Sequence, residues 1–265
     1  MKNEALILIG LGVLAAVVMI PSSHAGTPVG AATDDVLAQA SKSVERFWVQ
    51  FPSVTCTESV TQEKVGKTGK VEYRQQSIFD YLIFMDLRGD DIKVEESRLL
   101  QKSVGKSKNL PLAVTSGFPT LQLVFHPFYQ GSYRQWLDGE EILHGKKLLR
   151  IRFEHIPGTR STSGLRLRER DYPLDLQGIA WVDPGSGTIE RMTAGLEAPL
   201  EDLNLKALSV MVEYEPLQFS TTSASEWLPA RATIDVETAR QHWHNVHEFS
   251  NYKRFSVNAK STVSK

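Results

Sequence analysis

The chain has 265 residues, 41% hydrophobic and 23% charged, and its 30 Lys plus Arg nearly cancel 31 Asp plus Glu to leave a formal net charge of −1. That balance excludes a general polyanion binder, which needs a basic surplus, so no nucleic-acid partner is expected. The apolar fraction excludes a disordered tail protein, and a single cysteine excludes an internal disulfide or a multi-cysteine metal site.

In chain order, Met1-Lys2-Asn3-Glu4 precedes the apolar run Ala5–Ile20 and then Pro21-Ser22-Ser23-His24-Ala25. A short charged start, an apolar core and small residues at 23 and 25 read as a secretory signal over 1–25, cleaved after Ala25. The rival reading is an uncleaved anchor, but the run is shorter than the ~20 residues a spanning helix needs. No cysteine follows it to carry a lipid. Periplasmic or secreted localisation is therefore expected, with no integral membrane span after cleavage.

Residues 26–32 read as a flexible lead, 33–258 as a single domain and 259–265 as a tail. Thr33 or Asp34 is placed to cap a helix whose apolar positions Val36, Ala40, Val44, Phe47 and Phe51 step by three or four, with Pro52 ending it. Such a helix is marginal alone, so its stripe must lie on something. Beyond it the pattern alternates by two. Phe79, Tyr81, Ile83, Met85 and Leu87 share one strand face, with Asp80 and Asp86 on the other. Leu149, Ile151 and Phe153 form a second ladder, Leu208, Val210, Val212 and Tyr214 a third, and Leu228, Ala230, Ala232, Ile234 and Val236 a fourth. A fifth runs through His247, Phe249, Asn251, Lys253, Phe255 and Val257. Half-buried strands of this kind are typical of antiparallel sheets with one covered face.

Hairpin punctuation is expected at Gly66-Lys67-Thr68-Gly69, Arg88-Gly89-Asp90-Asp91, Asp138-Gly139 and Asp183-Pro184-Gly185-Ser186-Gly187. Between strands, Ser116 as a cap, Pro119 in a first turn and Leu121, Val124, Phe125 and Phe128 at helical spacing predict a short mid-chain helix. The fold class is mainly β with α (α+β): a large curved antiparallel sheet forming an open half-barrel. An N-terminal amphipathic helix and the short mid-chain helix pack on it.

Fragments that imitate catalytic motifs fail on context. Gly66-Lys67-Thr68 lacks the first glycine of a phosphate loop, since position 61 is Thr61. Lys67-Thr68-Gly69 and Ser103-Val104-Gly105-Lys106 stand in the wrong order for a penicillin-recognising serine enzyme, with no Ser-Asp-Asn between them. His242 and His244 share a strand face and are weak metal candidates, with Glu237 or His155 as a conceivable third ligand; a polar hairpin end explains them more simply. Cys56 reads as a small core residue on a strand. The paired carboxylates Asp90-Asp91, Glu95-Glu96 and Glu140-Glu141 read as solvated charges, since strand neighbours point apart. Trp48, Trp136, Trp181, Trp227 and Trp243 suit either packing or a lipid- or sugar-facing surface.

A signal peptide, one amphipathic helix, a long antiparallel sheet and a mid-chain helical plug together resemble the LolA/LolB-like superfamily of outer-membrane lipoprotein carriers. The hairpin Gly178–Arg191, with Asp183 in its turn, is similar to one used there. Phe51-Pro52-Ser53-Val54-Thr55-Cys56-Thr57-Glu58, the Trp181-Val182-Asp183-Pro184 hairpin, Trp227-Leu228-Pro229 and Asn251-Tyr252-Lys253-Arg254-Phe255 also resemble a group of secreted bacterial proteins common in acidobacteria. That group implies export and no particular activity. The carrier resemblance implies an incomplete barrel around an apolar cavity for acyl chains, although no residue here matches the carriers' lid-locking arginine.

The combined reading is a non-catalytic exported binding module for an apolar small molecule or acyl chain, with no cofactor. Phe79, Tyr81, Ile83 and Met85 are the expected cavity wall, and Leu121, Val124 and Phe125 the expected lid. An envelope structural or interaction protein with a filled core and its own protein partner is the first alternative. A metal-assisted hydrolase using His242 and His244 is the second.

Overall fold

The computed structural model describes residues 29–88, 91–104, 117–167, 170–219 and 225–255. The expected signal over 1–25, the tail over 259–265, the Ser116 cap and the Gly89-Asp90 turn lie outside the described residues, as does the side chain of Met85.

Helix α1 (Val29–Gln50) passes through a 3-10 turn (Phe51–Ser53) into β1 (Val54–Val65), β2 (Val71–Arg88) and β3 (Asp91–Val104). A 3-10 stretch (Phe118–Phe125) and a further turn (Pro127–Tyr129) precede β4 (Tyr133–Leu143) and β5 (Lys146–His155). The short strands β6 (Gly164–Leu167) and β7 (Arg170–Pro173) pair with each other in a separate two-stranded sheet. Then come β8 (Leu176–Val182), β9 (Ile189–Leu196), β10 (Leu205–Leu217), β11 (Glu226–Thr238) and β12 (His242–Arg254). Ten strands make one sheet in the order β3-β2-β1-β12-β11-β10-β9-β8-β5-β4, every pairing antiparallel. Its two edges, β3 and β4, do not meet, so the sheet is an open half-barrel.

The helix begins at Val29, before Thr33 and Asp34, because Ala31 and Ala32 are strong helix formers and extend it backwards. Its expected stripe, Val36, Ala40, Val44, Phe47 and Phe51, is buried, and Trp48 joins it. Where the helix passes the β8–β9 turn, a Cβ on Gly187 would stand 2.3 Å from the Gln39 carbonyl carbon, so only glycine admits this approach. Asp183 holds that turn, its Oδ1 accepting from the Gly185 and Ser186 amides at 2.9 and 2.7 Å.

Register fixes what faces inward. One cross-strand row runs Gln75–Gln62–Asn245–Ile234–Val210–Ala194–Gly178–Phe153–Gln135. The adjacent row runs Ser77–Val60–His247–Ala232–Val212–Met192–Ala180–Ile151–Leu137. From Gln75 to Phe153 and from Ser77 to Ile151 every side chain is buried, Gly178 carrying none.

Three local expectations change. Asp138-Gly139 is not a hairpin turn: Gly139, at φ 134°, marks a bulge where the β4–β5 register shifts. The turn is His144-Gly145, both at positive φ (50° and 78°), the backbone that suits the right-handed twist of a hairpin. In β12, Asn251 at φ 53° ends the strict alternation, so Tyr252 rather than Asn251 and Lys253 packs against the core. Finally, the mid-chain helix is 3-10, and its N-cap is Gly117 in the left-handed region (φ 93°).

Candidate functional site

The concave face is built from two unlike halves. On β5, β8, β9, β10 and β11 it is aliphatic and aromatic: Ile151, Phe153, Ala180, Met192, Ala194, Val210, Val212, Ala232 and Ile234. The 3-10 stretch lies against this half, with Phe125 edge-on to Phe153 at 6.2 Å and Gln135 Nε2 donating to the Val124 carbonyl at 2.5 Å. Its residues Leu121, Leu123, Val124 and Phe125 are buried.

The other half, on β12, β1, β2 and β3, is polar yet equally buried. Glu58 is fully enclosed and receives Arg98 in a fork, Nε to Oε2 at 2.6 Å and Nη2 to Oε1 at 3.0 Å. His247, also fully enclosed, meets Glu58 Oε1 through Nδ1 at 2.7 Å. Arg98 also reaches Glu96 at 2.8 Å and stacks over the Tyr81 ring at 4.8 Å. Burial alone would raise the Glu58 carboxyl above its ordinary value of 4.5. Hydrogen bonds from His247 and Arg98 outweigh it and hold the carboxyl below that value. An ionised carboxylate only accepts, so His247 Nδ1 carries the proton toward it. Arg98 is pushed upward despite burial by its bonds to Glu58 and the charge of Glu96.

Above this network lies a row of three carboxamides, Gln75, Gln62 and Asn245. Gln75 is held on one side by Tyr73 Oη, which donates to its Oε1 at 2.7 Å. On the other side its own Nε2 donates to Ser103 Oγ at 3.1 Å. Tyr73 and Trp243 pack edge-on at 6.2 Å. Cys56 sits beneath, its thiol pushed up to about 12 by burial and then by the Glu58 charge, which leaves it without nucleophilic thiolate near neutral pH.

The sequence-predicted residues come together in part. Tyr81, Ile83, Leu121, Val124 and Phe125 belong to one continuous core cluster, and Phe79 is half-buried. His242 and His244 do share a face, but both converge on Asp235 Oδ1, at 3.2 and 2.9 Å. Glu237 lies toward Lys206, and His155, on β5, is held by Asp175 in the loop before β8. Among the described residues no group of three or more His, Cys, Asp or Glu is arranged to hold a metal ion. The tryptophans do not share a surface: Trp48 is core, while Trp181 forms a second small cluster with Leu143 and Leu148.

Sequence reading missed Glu58, Arg98 and Asn245. The signal for Glu58 was present, because Val54, Cys56, Glu58, Val60 and Gln62 alternate and place a charge on an apolar ladder. A cavity of about 550 Å³ is bordered by Glu190, Arg191, Glu213, Trp227, Arg231 and Glu248. None of the expected wall or lid residues lines it. Among the described residues no helix is long and apolar enough to cross a membrane.

No protein-family model matches this sequence, and no curated protein sequence does. Among solved structures the chain is similar to a LolA superfamily protein from Nitrosomonas europaea, at 14% identity over 84% of this chain and 94% of that one, with a TM-score of 0.35. It is also similar to a DUF1329 family protein from Desulfovibrio piger, at 15% identity over 88% of this chain and 95% of that one, with a TM-score of 0.41.

Proposed function

We propose that this protein is an exported, non-catalytic binding module of the cell envelope that holds a lipid-like or other apolar ligand on its concave face. The observation that carries the reading is the covering of that face. An open ten-stranded sheet presents a wide apolar half, and what lies against it is not a second sheet but α1, whose Phe47 meets Tyr214 edge-on at 6.3 Å, and an eight-residue 3-10 stretch beside Phe153. A 3-10 helix of this length has poorer hydrogen-bond geometry than an α-helix, which makes it a weak element to spend on permanent closure. Displacing it uncovers Phe153 and the neighbouring face of β9 to an acyl chain, each buried methylene then contributing ~0.8 kcal/mol. In this reading Leu121, Val124 and Phe125 are the lid, and Phe79, Tyr81, Ile83 and Met85 on β2 are the wall at the polar end of the ligand. Residues 1–25 supply the export signal.

The experiment is uptake of a fluorescent acyl probe by wild type and Gln135→Leu. The substitution removes the donor that ties Val124 to β4. Loss of that bond costs about 1 kcal/mol, and the plug is expected to open more often, raising the uptake rate several-fold while circular dichroism stays native. The deep burial of Val124 and Phe125 favours a second reading, an envelope interaction protein with a filled core. If neither protein takes up the probe, that second reading replaces the first.

A further inference from the structure

Asn245 is fully buried, and among the described residues neither its Nδ2 nor its Oδ1 has a hydrogen-bond partner. An unpaired carboxamide in an apolar site costs several kcal/mol, and buried polar groups are nearly always paired. It stands in register between Gln62 of β1 and Ile234 of β11, at the seam where the polar half of the concave face meets the apolar half. We infer that Asn245 is the head-group contact of the ligand, and that the head is an uncharged carboxamide on a long acyl chain.

Three observations set that chemistry. First, the row itself is uncharged: Gln75, Gln62 and Asn245 offer donors and acceptors but no counter-ion. Second, the nearby charges are committed to one another, with Arg98 forked onto Glu58 and bonded to Glu96, and His247 bonded to Glu58. A phosphate or carboxylate head placed here would be stripped of water beside cations that already serve carboxylates. Third, a primary amide matches the two orphan atoms of Asn245 at once, accepting from Nδ2 and donating to Oδ1. From the seam, the row continues as Ile234, Val210, Ala194, Gly178 and Phe153. That is five strand spacings, roughly 24 Å along the sheet and enough for a long acyl chain.

This inference rests on the binding reading above. Its test is displacement of the fluorescent acyl probe from the full mature chain by three competitors of equal length: the primary amide, the free acid and the hydrocarbon. The amide is expected to displace about tenfold better than either of the others in wild type. Asn245→Leu, close in volume, is expected to abolish that preference and leave Tm unchanged or higher. Equal displacement by all three in wild type, as a buried water beside Asn245 would give, overturns the inference while the binding reading stands. A preference that survives in Asn245→Leu overturns it too, and so does a variant that loses its fold, since an unpaired amide has no bond to lose. Failure of wild type to bind the probe at all overturns the binding reading and this inference with it.

Discussion

The two halves of the concave face reach the same burial by opposite means. On β5 and β8–β11, shape and hydrophobicity suffice, and each side chain has many equivalent neighbours. On β12 and β1–β3, burial of Glu58, Arg98 and His247 is tolerable only because each group meets another at hydrogen-bond distance. The first half is tolerant of small changes and indifferent to pH. The second is specific and brittle, because removing one member leaves another charge buried without its partner.

The largest contrast is expected from Arg98→Leu, which strands Glu58 and should cost about 3–5 kcal/mol in urea unfolding. Ile151→Val, at a fully buried site in the apolar half, should cost about 1 kcal/mol. Similar losses at the two sites would erase the distinction.

Acid should separate the halves more gently. The Glu58 carboxyl is held below its ordinary 4.5 in the folded chain, so its bonds contribute stability that is fully present above that value. The contribution is lost as pH falls through the folded value. Denaturant midpoints measured from pH 6 down to pH 3 should decline more steeply for wild type than for Glu58→Gln, even though the variant starts lower. Parallel curves would mean that Glu58 does not govern the acid limb.

The apolar half was the legible one. Its ladders through Ile151, Val210 and Ile234 follow from alternation alone, as the α1 stripe follows from spacings of three and four. The polar half was hidden for a physical reason. Glu58 and Arg98 lie on β1 and β3, 40 residues apart, and Glu58 and His247 lie 189 apart. Only the strand order β3-β2-β1-β12 brings them together, and no local pattern encodes that order. Asn251 shows the same limit at short range. Its positive φ ends a ladder that looks unbroken in sequence, because asparagine enters the left-handed region at modest cost. Asp138-Gly139 carries turn chemistry, yet cross-strand pairing uses it as a bulge and gives the turn to His144-Gly145.

The central claim is that the 3-10 stretch gives way to an acyl chain on the apolar half. Hydrogen exchange of the full chain, with and without saturating acyl probe, measures this directly. The backbone amides of Leu121–Phe125 should exchange at least several-fold faster with probe present, while those of β9 and β10 keep or increase their protection. Unchanged exchange at Leu121–Phe125 in a sample shown to have bound the probe would contradict the account, because the chain would then lie somewhere other than beneath the plug.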